Sequence, residues 1–135
     1  MTKPVLELRV AITVQDYQRM VEIYQQGLGL EPAEIWTDDT GSALIFEMGR
    51  GTLEIFDEQH AANVDAIEAG QRVSGPVRFA LEVPDLQAAL TRLLALGATQ
   101  VHEPIITPWN HHNVRLQFPD GMQVTLFQVM EQAGS

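Results

Sequence analysis

A chain of 135 residues with 45% hydrophobic content is sized for one compact domain, which buries roughly two-thirds of the surface its unfolded form exposes. The net charge of −10 argues against a nucleic-acid partner, which demands a basic face, and speaks first to solubility. No segment approaches the ~18 uninterrupted apolar residues of a membrane span. The absence of cysteine excludes a disulfide framework and thiolate chemistry. With no basic-then-apolar leader at Met1-Thr2-Lys3-Pro4, a cytoplasmic protein is expected.

Residues 5–14 alternate, with Leu6, Leu8, Val10, Ile12 and Val14 on one face and Glu7, Arg9, Ala11 and Thr13 on the other. That period of two predicts a half-buried strand. Asp16 is placed to cap a helix with Tyr17, Met20, Val21, Tyr24 and Leu28 as its apolar stripe, and Gly27 and Gly29 end it. Strands are expected near 33–37, 42–48 and 52–57, punctuated by Gly41 and the turn Gly49-Arg50-Gly51. Asp57 is the expected cap of a short helix over 58–70, and Gly75-Pro76 closes a connector.

A fifth strand is expected over 77–83, with Val77, Phe79, Leu81 and Val83 inward. Asp85 caps a helix with Leu86, Leu90, Leu93, Leu94 and Leu96 inward, and Gly97 stops it. Strands follow near 100–104, 112–118 and 123–129, the last two joined by Pro119-Asp120-Gly121.

The chain thus states one pattern twice. Val14-Gln15-Asp16 answers Val83-Pro84-Asp85, Arg9 answers Arg78, and Leu28-Gly29 answers Leu96-Gly97. Each half reads β-α-β-β-β, and a repeat of half the chain length means a duplicated module rather than a solenoid. The expectation is a single domain over 1–135, with a first module over 5–57, a helix and connector over 58–76, and a second module over 77–130.

This order of elements, with Leu53-Glu54-Ile55-Phe56, Glu103-Pro104, Pro108-Trp109 and Phe118-Pro119-Asp120-Gly121 in their places, resembles the vicinal oxygen chelate superfamily of glyoxalases, bleomycin resistance proteins and extradiol dioxygenases. The resemblance implies an α+β fold whose two βαβββ modules form a curled, mixed-sheet half-barrel around a concave ligand cleft. It also implies a homodimer, with modules paired within a chain or between chains. A fold of this kind hosts many chemistries, so function must be argued from the site.

In metal-using relatives the ligands stand at positions matching Arg9, Glu54, Arg78 and Thr125. Glyoxalase-like members place His or Gln, Glu, His and Glu there, and dioxygenases use two His and a Glu. A guanidinium stays protonated and has no lone pair for a metal. Only Glu54 is a proper ligand, so no metal and no cofactor is expected at the inherited position.

Two readings of the substituted set stand side by side. Arg9, Glu54 and Arg78 form a buried ion triad, or one arginine pairs with Glu54 and the other presents its fork to an anionic ligand. Ala11, Thr13, Ala80, Glu82 and Thr125 would complete the lining by alternation. Phe56 and Phe127 are either aromatic pocket walls or core, and Trp109 either closes over the mouth or packs at an interface. His111 and His112 read as exposed loop-end residues or as a general base, and adjacent strand residues point to opposite faces. His60 and His102 have no partner identifiable from sequence.

The first functional expectation is a metal-independent protein that binds a small, partly aromatic or anionic organic molecule. It involves neither nucleic acid nor membrane. The alternative is a lyase, isomerase or dioxygenase-type enzyme, with a displaced metal or a metal-free mechanism using Glu54, His111 or His112 as base. A third is a domain whose cleft is filled by its own side chains and whose role is partner binding.

Overall fold

The computed structural model describes residues 9–130 apart from 11, 13, 52, 53, 55 and 56. The three expected caps all form, because an Asp at the first position offers its carboxylate to an otherwise unsatisfied backbone N–H. Asp16 accepts from Arg19 N at 3.2 Å and starts α1, Tyr17–Glu22. Asp57 accepts from His60 N at 2.8 Å and starts α2, Glu58–Ala69. Asp85 accepts from Ala88 N at 3.1 Å and starts α3, Leu86–Ala95.

The first helix does not stay α. From Ile23 to Gly27 it widens into a π turn that buries Ile23, Tyr24 and Gly27. A Cβ on Gly27 would lie 2.6 Å from Leu93 Cδ2 of α3, so glycine permits the close approach of the two helices. Arg92 Nε of α3 donates to Gly27 O at 3.0 Å across the same contact. Ile23, outside the expected stripe, is fully buried at the start of this turn, and it stands three residues after buried Met20, an ordinary helical spacing. In α3 the inward set is Leu86, Ala89, Leu90 and Leu93, whereas Leu94, expected inward, is 38% exposed. Gly97 ends the helix at φ 107, a conformation that favours glycine.

The hairpin β1 (Pro32–Asp38) and β2 (Gly41–Phe46) forms a two-stranded antiparallel sheet. Its turn is fixed by Asp38 Oδ1, which accepts from Thr40 N at 2.8 Å. The larger sheet contains β3 (Phe79–Glu82), β4 (Thr99–Gln100), β5 (Ile105–Ile106), β6 (His111–Gln117) and β7 (Gln123–Val129). Its order is β3-β7-β6-β4, with β5 also on β6. β3 runs parallel to β7, and the other pairs are antiparallel. The result is a mixed-sheet α+β fold.

Of the strand expected over 100–104 only Gln100 is in strand, at the end of β4; the chain bends at His102, and Pro104 has no N–H to donate. Strands expected over 5–14 and 52–57 fall largely outside the described residues, and residues 9, 10, 12, 14, 54 and 57 are not in strand. Val77, expected inward, is 55% exposed.

One face of the large sheet makes the core. Val114, Leu116, Val124 and Leu126 pack with Phe118 against Met20, Ile23 and Tyr24 of the first helix and Leu86, Leu90 and Leu93 of α3. Phe79, Leu81 and Val83 join at the edge, as their alternation predicts. Burial of this kind is worth about 1.5–3 kcal/mol per large side chain.

Candidate functional site

Strand register fixes what the opposite face carries. Residues paired side by side share a face, and alternate residues return to it. Arg115 lies opposite Thr125, Asn113 opposite Phe127, and His111 opposite Val129. On the other side of β7, Ala80 pairs with Thr125 and Glu82 with Phe127. This face is therefore polar in the middle and aromatic toward one end.

The middle is buried because α2 lies over it. Asp65 is 1% exposed, Glu68 4%, Asn113 1%, Arg115 0% and Thr125 2%. A fully buried guanidinium is costly unless paired, and Arg115 is paired on every side. Its Nη1 lies 3.0 Å from Asp65 Oδ1 and donates to Ser74 Oγ at 2.8 Å and Gln123 Oε1 at 3.3 Å. Its Nη2 lies 3.0 Å from Glu68 Oε1. Its Nε donates to Thr125 Oγ1 at 3.2 Å.

Asp65 is also the fastening of the connector. Its Oδ2 accepts from Val73 N at 2.9 Å and Ser74 N at 2.8 Å, and its Oδ1 accepts from Ser74 Oγ at 2.7 Å. Gly70, at φ 79, turns the chain back to make these bonds possible. Burial acts to raise the Asp65 pKa, but the Ser74 and Val73 donors and Arg115 outweigh it and hold the carboxyl well below the usual carboxylate range. Arg72 bridges Asp65 and Glu58 from the rim.

Thr125 is the hinge of the cluster. Its Oγ1 accepts from Arg78 Nη1 at 3.1 Å and from Arg115 Nε, and donates to Glu68 Oε1 at 2.5 Å. Toward the aromatic end, His111 stacks on Phe127 with centroids 4.7 Å apart and planes at 13°. Both rings are half-buried, whereas Ala80 and Glu82 are exposed. A hollow of about 510 Å³ opens at that end of the sheet, lined by Glu82, Val83, Pro84, His112, Gln128, Val129 and Met130. It does not contain the arginines.

The expected residues therefore separate. Arg78, Ala80, Glu82, Thr125 and Phe127 share the polar face of one sheet, and His111 joins them there. Arg9 and Glu54 are exposed, so the triad they were expected to form with Arg78 is not a buried one. Ala11, Thr13 and Phe56 lie outside the described residues. Trp109 is 45% exposed in the turn before β6. His111 and His112 are half-buried members of β6 rather than exposed loop ends, and they face opposite sides.

Sequence reasoning missed Arg115, Asp65, Glu68, Asn113 and Ser74. The signal was available: Asn113 and Arg115 occupy the polar alternate of a strand whose other positions are Val114 and Leu116. Asp65 and Glu68 stand three apart on one helix face.

The donor chemistry at Arg78 and Thr125 does not fit a metal. The guanidinium has no lone pair, and the threonine oxygen already accepts from two guanidinia. Among the described residues no three His, Cys, Asp or Glu side chains come together as a metal cage.

Comparison with known proteins agrees with the fold. The family profile described as Glyoxalase/Bleomycin resistance protein/Dioxygenase superfamily matches residues 8–126. No curated protein matches the sequence. Among solved structures, TnmS3, an antibiotic binding protein from Streptomyces sp. CB03234, is 18% identical with a TM-score of 0.60, covering 96% of this chain and 100% of its own. A Glyoxalase/bleomycin resistance protein/dioxygenase superfamily member from Sphaerobacter thermophilus DSM 20745 is 19% identical with a TM-score of 0.59, covering 92% of this chain and 98% of its own. Lactoylglutathione lyase from Agrobacterium tumefaciens is 23% identical with a TM-score of 0.55, covering 93% and 96%.

Proposed function

Because the chain belongs to the glyoxalase/bleomycin resistance protein/dioxygenase superfamily, we propose that it binds a small organic molecule, anionic or partly aromatic, on the polar face of β3, β6 and β7 without a metal. The observation that carries this reading is the half-buried Arg78 guanidinium, donating to Thr125, on the face that also holds the stacked rings of Phe127 and His111. Guanidinium forks recognise carboxylate or phosphate, and aromatic walls suit planar ligands. The likeness to TnmS3, itself an antibiotic binding protein, is in keeping with a binding role. The two arginines disfavour a strongly cationic ligand.

The competing reading is an enzyme of lyase, isomerase or dioxygenase type, for which the likeness to lactoylglutathione lyase stands. Its one structural support is the His111 imidazole on the same face as the arginines. A homodimer, and the division into modules over 5–57 and 77–130, belong to the same proposal. So does the cytoplasmic setting; no helix of the described residues is long and apolar enough to cross a membrane.

Calorimetric titration of a panel of small aromatic carboxylates and phosphates into chelator-treated protein tests the reading. Saturable binding unaffected by the chelator, and lost in Arg78→Ala, is expected. Binding that appears only after metal is restored would overturn it. Conversion of a bound compound to product would move the case to the enzymatic reading.

A further inference from the structure

The buried cluster contains a carboxylate held almost entirely by donors from the sheet. Glu68 Oε1 receives Arg115 Nη2 at 3.0 Å and the Thr125 hydroxyl at 2.5 Å, and Glu68 Oε2 receives Asn113 Nδ2 at 3.4 Å. Thr125 has no choice in the matter. A hydroxyl has two acceptor lone pairs and one proton, and both acceptor sites face guanidinia, from Arg78 and from Arg115. Its proton must therefore point at an anion. Arg115, Thr125 and Asn113 together form a cradle for one carboxylate, built on β6 and β7, and the anion in it comes from α2.

Glu68 is separable from what holds the helix down. Asp65, one turn earlier, carries the bonds to Val73, Ser74 and Arg115 that fasten α2 and the connector. Arg115 keeps that partner if Glu68 leaves. The donor that Asn113 adds to the cradle is its Nδ2, and its contact with Glu68 Oε2 at 3.4 Å is the longest of the three. Asn113 stands directly opposite Phe127 in the sheet, and Phe127 carries the stacked His111 ring. Cross-strand neighbours of this kind have Cβ atoms about 4.5–5.5 Å apart. A carboxylate in the cradle thus has an aromatic wall within the reach of one ring.

We propose that Glu68 occupies, in cis, the seat of an aromatic monocarboxylate ligand, which binds by displacing the Glu68 side chain from Arg115, Thr125 and Asn113. This rests on the ligand-binding reading above and deepens it, naming the ligand class and a self-inhibiting residue. An incoming carboxylate replaces one monoanion by another, so the buried charge is unchanged and only the fit of the aromatic ring adds affinity.

The test uses benzoate, titrated into the wild-type protein and into Glu68→Gln, with inorganic phosphate as an anion lacking a ring. Glu68→Gln keeps the shape of the internal occupant and removes its charge. Benzoate is expected to bind this variant at least tenfold more tightly than wild type, about 1.4 kcal/mol, and Thr125→Val in the same background is expected to abolish the gain. A gain of the same size for phosphate would assign the seat to anions in general and overturn the aromatic part.

Equal or weaker benzoate binding to a folded Glu68→Gln protein would overturn displacement, while wild-type binding that Arg78→Ala removes would leave the cleft reading standing. Should Glu68→Gln not fold, hydrogen exchange decides. Saturating benzoate should speed exchange of the α2 amides of wild type by severalfold, and unchanged or slowed exchange would contradict the proposal.

Discussion

The two faces of the five-stranded sheet are held by opposite kinds of chemistry. On one face, Val114, Leu116, Val124 and Leu126 meet α3 and the first helix through apolar contact, with one hydrogen bond from Leu86 N to Gln128 Oε1 at 2.9 Å at the start of α3. On the other, Arg115, Thr125 and Asn113 meet α2 through charges and hydrogen bonds. Apolar packing is non-directional and loses stability in proportion to what is removed. A buried ionic cluster is directional, and removing a member costs most where the group left behind has no other partner. The first face therefore specifies the fold, and the second is where a change of occupant has consequences.

The largest expected effect breaks the polar face. Arg115→Met leaves Asp65 and Glu68 buried without their shared cation, and a loss of about 3–5 kcal/mol in urea unfolding is expected. Adding Glu68→Leu should recover at least about 1 kcal/mol of that, a coupling that a double-mutant cycle reads directly. On the apolar face, Leu116→Ala, at a fully buried position, should cost about 2–5 kcal/mol. Paired with Leu126→Ala, its in-face neighbour, it should show no comparable recovery.

Acid separates the faces next. The Asp65 carboxyl is held below its ordinary range in the folded protein, so its contribution is complete above the unfolded value of about 3.9. That contribution is lost as pH falls below about 4 toward the folded value. The thermal midpoint should drop over that range, and Asp65→Asn should flatten the drop while leaving Leu116→Ala protein as acid-sensitive as wild type.

The smallest effect has the opposite sign. Tyr24 buries its hydroxyl with no partner among the described residues, and burial pushes its pKa up, with Asp120 adding to it. Tyr24→Phe removes an unsatisfied group without changing the shape that packs on Phe46 and Phe118. It should leave stability unchanged or raise it by up to about 1 kcal/mol.

How much of this was legible in the sequence follows the same division. Asp16, Asp57 and Asp85 cap their helices as read, because a cap is a local geometric requirement that needs no tertiary information. The apolar alternation of β7 is likewise local, and it places Val124 and Leu126 in the core. The buried position of Ile23 was legible as the residue three after Met20; the π turn beginning there, and the close approach of Gly27 to Leu93, 66 residues away, were not.

Nor was the pairing within the cluster, although the polar alternation of Asn113 and Arg115 was. Glu68 and Arg115 are 47 residues apart, and no local rule says that α2, a helix without an apolar stripe, lies on the polar side of the sheet. Resemblance directed attention to Arg9, Glu54, Arg78 and Thr125. Of these, Arg78 and Thr125 meet one another, while Arg9 and Glu54 are exposed. The site was readable as a strand face, and its real charge pairing was not.

The proposal at the centre of this account is that the polar face around Arg78 and Thr125 binds its ligand without a metal. Elemental mass spectrometry of untagged protein, after incubation with Zn²⁺, Ni²⁺, Mn²⁺ and Fe²⁺ and removal of the excess, tests it most directly. The account predicts no stoichiometric metal. One tightly held ion per chain, lost in Thr125→Val or Glu54→Gln, would contradict it and return the site to metal chemistry.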